Sequence, residues 1–137
     1  MYAQKLTVRF EDVDFARVVF FPKLFVYAHN VFEDFFANEL GVPYVKMLAE
    51  RKVGYPAVHA DADFRKPLRF GDVIRVELSV LKVGTSSLHC RYRMFPEHGT
   101  ELLAEVKVVS AAIAMDTFQS APLPADVRAA FERHLER

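Results

Sequence analysis

The chain has 137 residues, enough for one domain with a real core, and 52% of them are hydrophobic, which excludes a disordered chain. Lys and Arg total 18, as do Asp and Glu, so the formal net charge is zero and no basic face for nucleic acid is expected. The one cysteine, Cys90, excludes an intrachain disulfide and a cysteine-rich metal site, and fits a reducing compartment.

Residues 2 to 13 read as a first strand, with Leu6, Val8 and Phe10 on one face. A helix is predicted from Pro22 to about Leu40, with proline at its first position and Gly41 as the stop. Its apolar side, from Leu24 and Phe25 to Phe35 and Phe36, is wider than a surface helix needs, so something must wrap around it. Lys23, Asn30 and Asp34 form a narrow solvated stripe opposite. A shorter helical piece follows within Tyr44 to Arg51. The period then switches to two, giving strands at Tyr55–Phe64, Asp72–Val83, Ser86–Phe95 and Glu101–Met115. Short breaks between the last three imply an antiparallel meander. A final amphipathic helix covers Ala125 to Leu135.

This order predicts a single α+β domain over residues 1–137, with a curved sheet of about five strands wrapped around one long central helix. No signal-peptide pattern opens MYAQKLTVRF, and no apolar run approaches the roughly 20 residues of a membrane helix. A cytoplasmic protein without a membrane span is expected. Neutral charge combined with so much apolar surface favours self-association.

The element order, with RFEDVDFARVVFFPKLFVYAHNVFEDFF at residues 9–36, resembles the hotdog-fold acyl-CoA thioesterases of the 4-hydroxybenzoyl-CoA thioesterase family. That family opens with a strand ending in Asp-x-Asp, here Asp12-Val13-Asp14. A short loop, Val18-Val19-Phe20-Phe21, Pro22 and the central helix then follow. VGYPAVHADADFRKPLRFGD, residues 53–72, is similar to the family's second strand and the turn into its third. The resemblance covers about residues 5 to 118.

It implies hydrolysis of a thioester between an acyl group and coenzyme A, with Asp14 as the catalytic carboxylate. It further implies a backbone N–H near Phe21 that polarises the carbonyl. Family members are dimers or tetramers with the active site between protomers, so a homodimer or homotetramer is expected. Coenzyme A is part of the substrate, and neither cofactor nor metal is expected.

Chemistry supports the same assignment. A thioester needs an activated water or a direct nucleophile, together with donors for the oxyanion. Asp14 suits either role. The helix starts without Ser, Thr, Asp or Asn at its cap, so its first N–H groups are left for solvent or a carbonyl. The plain alternative is that Asp14 merely begins a loop.

His29 and Glu33, spaced i, i+4, either line the acyl pocket or support catalysis from the neighbouring protomer, or else form a boundary pair at a subunit contact. His59, Asp61 and Asp63 share a strand face that reads as solvated or interfacial in preference to a metal site. His89, His98 and His134 read as exposed or turn residues, and Cys90 as packing. For the phosphates of coenzyme A, Arg65, Lys66 and Arg69 cluster most tightly, ahead of Lys82, Arg91 and Arg93. Ser86 is a candidate for the nucleotide end. Phe20 and Tyr55, with Phe15, Phe25 and Phe32, favour an aromatic or short-to-medium acyl group.

Arg17 departs from the small residue or glycine common before Val-Val in relatives; beside Asp14 it would touch that carboxylate or reshape the entrance. Phe21 replaces a polar aromatic or histidine. Two rival readings remain: a thioesterase for acyl-carrier-protein or polyketide thioesters, and a non-catalytic acyl-CoA-binding hotdog domain.

Overall fold

Leu24, Tyr27, Ala28, Val31, Phe32 and Phe35 are all buried along a single helix, α1 (Pro22–Phe35), and the rest of the molecule is arranged to cover them. The computed structural model describes residues 1–137. Pro22 occupies the first helical position, where its missing N–H has no cost. The helix runs on through a π turn, Phe36–Leu40, and stops at Gly41, whose φ of 72° is the left-handed conformation that glycine adopts freely.

The cover is a five-stranded antiparallel sheet of β1 (Tyr2–Thr7), β3 (Ala57–Phe64), β4 (Val73–Val83), β5 (Ser87–Pro96) and β6 (Ala104–Ala111). The spatial order is β1-β4-β5-β6-β3, so β4, β5 and β6 form the expected meander. Ile74, Val76 and Leu78 of β4, with Leu88, Cys90 and Tyr92 of β5, alternate inward and are buried against α1. A two-residue ribbon pairs β2 (Val53–Gly54) with β7 (Ile113–Ala114). The short helix α2 (Tyr44–Ala49) and the last helix α3 (Ala125–Glu132) close the far end. There the Phe35 and Phe131 rings lie 4.3 Å apart. Phe35→Ala would empty the middle of this core, at about 3–5 kcal/mol.

The expected hotdog architecture is present, with local differences. The first strand ends at Thr7 and not near 13, because a 3-10 turn, Phe10–Asp12, lifts the chain off the sheet. The strand expected from Tyr55 starts at Ala57, since Pro56 has no N–H for the ladder. Glu101–Met115 divides into β6 and β7, the Ala112 N–H turning aside to the Ser86 carbonyl. His134 is not an exposed turn histidine: it packs beneath Phe35, with ring centroids 5.3 Å apart, and pairs with Glu39.

Edge strand β3 has only one paired side. Nearly all its residues are exposed, including Val58 and Phe64. Eight residues of open backbone and apolar side chains form an edge that natural sheets normally cover.

Candidate active site

The segment after the 3-10 turn folds back as a narrow finger. Val13 and Val19 bridge its base, the Asp14 N–H donates to the Val18 carbonyl at 3.1 Å, and the Phe20 N–H donates to the Asp12 carbonyl at 2.9 Å. The Val19 N–H anchors the return strand to the Leu68 carbonyl at 2.8 Å. At the tip, an Asp14 carboxylate oxygen accepts the Ala16 N–H at 2.8 Å, and Arg17 sits at φ 69°.

The two aspartates have opposite environments. Asp12 is buried and accepts from the Tyr27 hydroxyl at 2.6 Å and the Arg9 N–H at 3.0 Å, with Lys23 3.7 Å away. Burial raises its pKa, but those hydrogen bonds and the Lys23 charge outweigh burial and hold it below the ordinary carboxylate value. Asp14 is exposed and faces a groove of about 740 Å³ shared with Phe10, Phe15, Arg17, Arg69 and Phe70. Neither arginine there has a carboxylate partner.

The helix start lies beside the finger. Pro22 has no N–H, while the Lys23 and Leu24 N–H groups donate to the Phe20 and Phe21 carbonyls at 2.8 and 3.1 Å. The first turn thus closes on itself, and the Phe21 N–H is left without an acceptor. No side chain caps it. The Phe21 ring meets Phe20 at 5.4 Å and Phe64 at 6.3 Å. Arg65 and Lys66 line a smaller cavity of about 230 Å³ behind the helix start, although Lys66 pairs with Glu101 at 3.5 Å.

His29 and Glu33 do meet, Nε2 to Oε2 at 2.8 Å. Within one protomer they share no cavity with Asp14. His29 instead joins two adjoining cavities, of about 230 and 510 Å³. The first is walled by Phe25, Phe32, Tyr55, Tyr92 and Ser110. Tyr44 stands edge-on to His29 at 6.0 Å, and burial, aided by the Glu33 charge, pushes its hydroxyl up to about 12. Ser86 is elsewhere: it lies in the β4–β5 hairpin, about 30 Å along the strands from the finger at about 3.3 Å per residue. Arg91 is occupied by Glu105 and Glu136. His59 pairs with Asp61 at 3.1 Å on open β3, and no three His, Cys, Asp or Glu side chains converge.

Sequence reasoning did not anticipate the Asp12–Tyr27 bond, the Phe10–Phe70 pair, 5.7 Å apart at the groove, or the part of Tyr92 and Ser110 in a cavity wall. For Tyr27 a signal existed, since it is four residues beyond Lys23 on the supposedly solvated stripe.

A central helix wrapped by an antiparallel sheet, with an acidic finger at its uncapped start, is the architecture of a hotdog thioester hydrolase. The chain belongs to the thioesterase-like superfamily, whose profile matches residues 8–131. It is 30% identical over 124 residues to a 1,4-dihydroxy-2-naphthoyl-CoA hydrolase of Synechococcus elongatus, covering 90% of this chain and 89% of the relative. A counterpart from Acaryochloris marina is 30% identical over 122 residues, 88% of each chain. The crystal structure of a 1,4-dihydroxy-2-naphthoyl-CoA thioesterase from Synechocystis matches with a TM-score of 0.87 at 25% identity, over 95% of this chain and 94% of that one. No helix is long and apolar enough to cross a membrane.

Proposed function

We propose that the protein hydrolyses an aromatic acyl-CoA thioester to the free acid and coenzyme A, with Asp14 as the catalytic carboxylate and the Phe21 N–H as oxyanion donor. The observation that carries the assignment is the exposed Asp14 finger folded beside the one free N–H of the α1 start. The names of the relatives and the aromatic walls around His29 support an aromatic acyl group. Within the superfamily, the Asp-x-Asp to Pro22 segment supports placement with the 4-hydroxybenzoyl-CoA thioesterases.

In this reading Asp14 either removes a proton from water, which attacks the carbonyl, or attacks it directly to give an anhydride that water opens. Both routes pass through an oxyanion that the Phe21 N–H stabilises, and both expel the thiolate of coenzyme A. The reaction asks for no metal or cofactor, because a thioester carbonyl is electrophilic enough for a carboxylate-activated water. Unpaired Arg17, Arg65 and Arg69 are the groups offered to the phosphates.

The open β3 edge supports a homodimer, with homotetramers as a further assembly. Antiparallel pairing of two β3 edges would set the finger end of one protomer beside the His29, Tyr55 and Ser86 end of the other. A cytoplasmic location, expected from the lone reduced cysteine, belongs to the same proposal.

The test is thiol release from benzoyl-, phenylacetyl-, 1,4-dihydroxy-2-naphthoyl-, short-chain and long-chain CoA esters, for wild type and Asp14→Asn. Cleavage of an aromatic ester that Asp14→Asn abolishes supports the proposal; failure to cleave any ester overturns it. After a single turnover in ¹⁸O-labelled water, label in the Asp14 carboxylate demonstrates direct attack with the anhydride opened at the Asp14 carboxyl carbon, because general-base hydrolysis puts label only in the product acid.

A further inference from the structure

Asp12 joins the two strands of the finger and ties the outgoing one to α1. Its carbonyl accepts the Phe20 N–H at 2.9 Å, and the Phe20 carbonyl accepts the Lys23 N–H at 2.8 Å, so hydrogen bonds run from the finger root into the first helical turn. One oxygen of its carboxylate accepts the Tyr27 hydroxyl at 2.6 Å and the Arg9 N–H at 3.0 Å, while the other lies 3.7 Å from the Lys23 ammonium. Asp14 stands two residues beyond Asp12 on the outgoing strand, and Phe21 directly follows Phe20 on the return. The carboxylate and the free N–H thus hang from the two sides of one clasp.

The other hydrogen bonds of the finger fix its shape and not its placement. Those from the Asp14 N–H to the Val18 carbonyl, the Ala16 N–H to the Asp14 carboxylate and the Arg17 N–H to the Asp14 carbonyl are all internal. The return strand is held by the Val19 bond to Leu68 and by the chain itself, which continues into Pro22. Between residues 10–14 and α1, the polar ties are those of Asp12 with Tyr27 and Lys23. Tyr27 meets none of the reacting groups. It lies two residues from His29, about 200° around α1 at 100° per residue, and lines a polar groove with Arg9, Asp12 and Lys23 away from the aromatic cavities. Burial, aided by the Asp12 carboxylate, pushes the phenol well above its ordinary value, so it stays a donor throughout the neutral range.

We propose that Tyr27, acting through Asp12, is a positioning residue that sets the distance and angle between the Asp14 carboxylate and the Phe21 N–H. The assignment rests on the thioesterase reading above. A carboxylate and an oxyanion donor cooperate only where both meet the same carbonyl, and a misplacement of about 1 Å costs ~100-fold in rate. An exposed carboxylate on a finger without the Asp12 tie is free to swing by that much. Tyr27→Phe keeps the ring and its packing but opens the clasp. It therefore loses turnover and not affinity, because the acyl group and coenzyme A still meet their own walls.

The experiment measures kcat and KM on the ester cleaved fastest in the panel above, for wild type, Tyr27→Phe, Lys23→Met and Phe131→Leu, at a temperature where urea unfolding finds every variant folded. Phe131→Leu removes core volume at the far end of the molecule and is the control for lost stability alone. Tyr27→Phe is expected to lower kcat ~10-fold or more with KM within ~2-fold, Lys23→Met to lower kcat less, and Phe131→Leu to leave both constants unchanged. In an Asp14→Asn background, followed as a single turnover with enzyme in excess, Tyr27→Phe is expected to cost no further rate, because the group it aims is gone. A full additional loss in that background overturns the proposal. So does a kcat in Tyr27→Phe no lower than in Phe131→Leu, or a rise in KM that accounts for the whole effect. If Tyr27→Phe does not fold, Lys23→Met decides by the same split and the same background. Wild type that cleaves no thioester sinks the thioesterase reading and this proposal with it. Wild type that cleaves one while Tyr27→Phe matches it sinks only the role of Tyr27.

Discussion

The Tyr27 hydroxyl donates to the Asp12 carboxylate at 2.6 Å, joining the middle of α1 to the root of the finger that carries Asp14. Fifteen residues separate the partners in the chain, and both are buried. A bond between a buried phenol and a buried carboxylate is costly to break on one side only.

Tyr27→Phe is therefore expected to lower stability at pH 7 by about 1–3 kcal/mol, read from urea unfolding. The pH dependence follows from the lowered Asp12 pKa. Below its usual value of 3.8 in the native state, the carboxylate contributes stability that is full above about pH 4 and vanishes as pH falls through the lowered value. The acid limb of wild-type stability should flatten in the variant. An equal loss at pH 7 and pH 2 would assign Tyr27 a packing role alone.

Asp14→Asn removes charge from an exposed side chain and keeps an oxygen for the Ala16 N–H. Turnover should fall ~100-fold or more while the unfolding midpoint stays within experimental error. A comparable fall in stability would mean that the finger had collapsed and that activity loss says nothing about chemistry.

Arg17 holds a left-handed backbone at φ 69°, a conformation that disfavours a residue with a Cβ by about 1–2 kcal/mol. Arg17→Gly should raise the thermal midpoint slightly, the relief offset in part by the added freedom of the unfolded chain. KM for CoA esters should rise in the same variant if the guanidinium meets phosphate. A higher midpoint with unchanged KM would leave Arg17 outside substrate binding.

Arg69 lacks an acidic partner and faces the Asp14 groove, whereas Lys66 is paired with Glu101. Arg69→Ala should increase KM severalfold at low ionic strength, with a smaller effect in high salt, and Lys66→Ala should do less. Steady-state kinetics across a salt series distinguish the two.

Cys90 is fully buried, and burial pushes its thiol up to about 12. A thiol reagent at pH 8 should leave it unmodified in the native protein and titrate one equivalent per chain in denaturant. Thiol release in the assays above then reports coenzyme A and nothing else.

The long helix, its Pro22 start and Gly41 stop, and the β4–β5–β6 meander were legible because each is written in local periodicity and turn chemistry. Asp14 stood out through its motif and Phe21 through the missing cap. Asp12, by contrast, shows its role only once the chain folds back: nothing near it says that Tyr27 will arrive. His134 is similar, reading as a tail residue until α3 docks over Phe35. Ser86 reads as a contact for the nucleotide end because it follows the Gly84 turn, and strand length sets it far from the finger. In each case the missing information was a contact between distant elements, to which periodicity is blind.

The self-closed first turn of α1 leaves one donor where an oxyanion pocket often offers two. A carbonyl held by a single N–H is fixed in distance but free to swivel about that bond. The angle at which the acyl group leaves it is then decided by whatever walls it meets further along the helix. Under the proposed reading, such a site would separate the act of cleaving from the act of choosing, so that wall substitutions could retune it for a differently shaped acid while the finger and the helix start stay as they are.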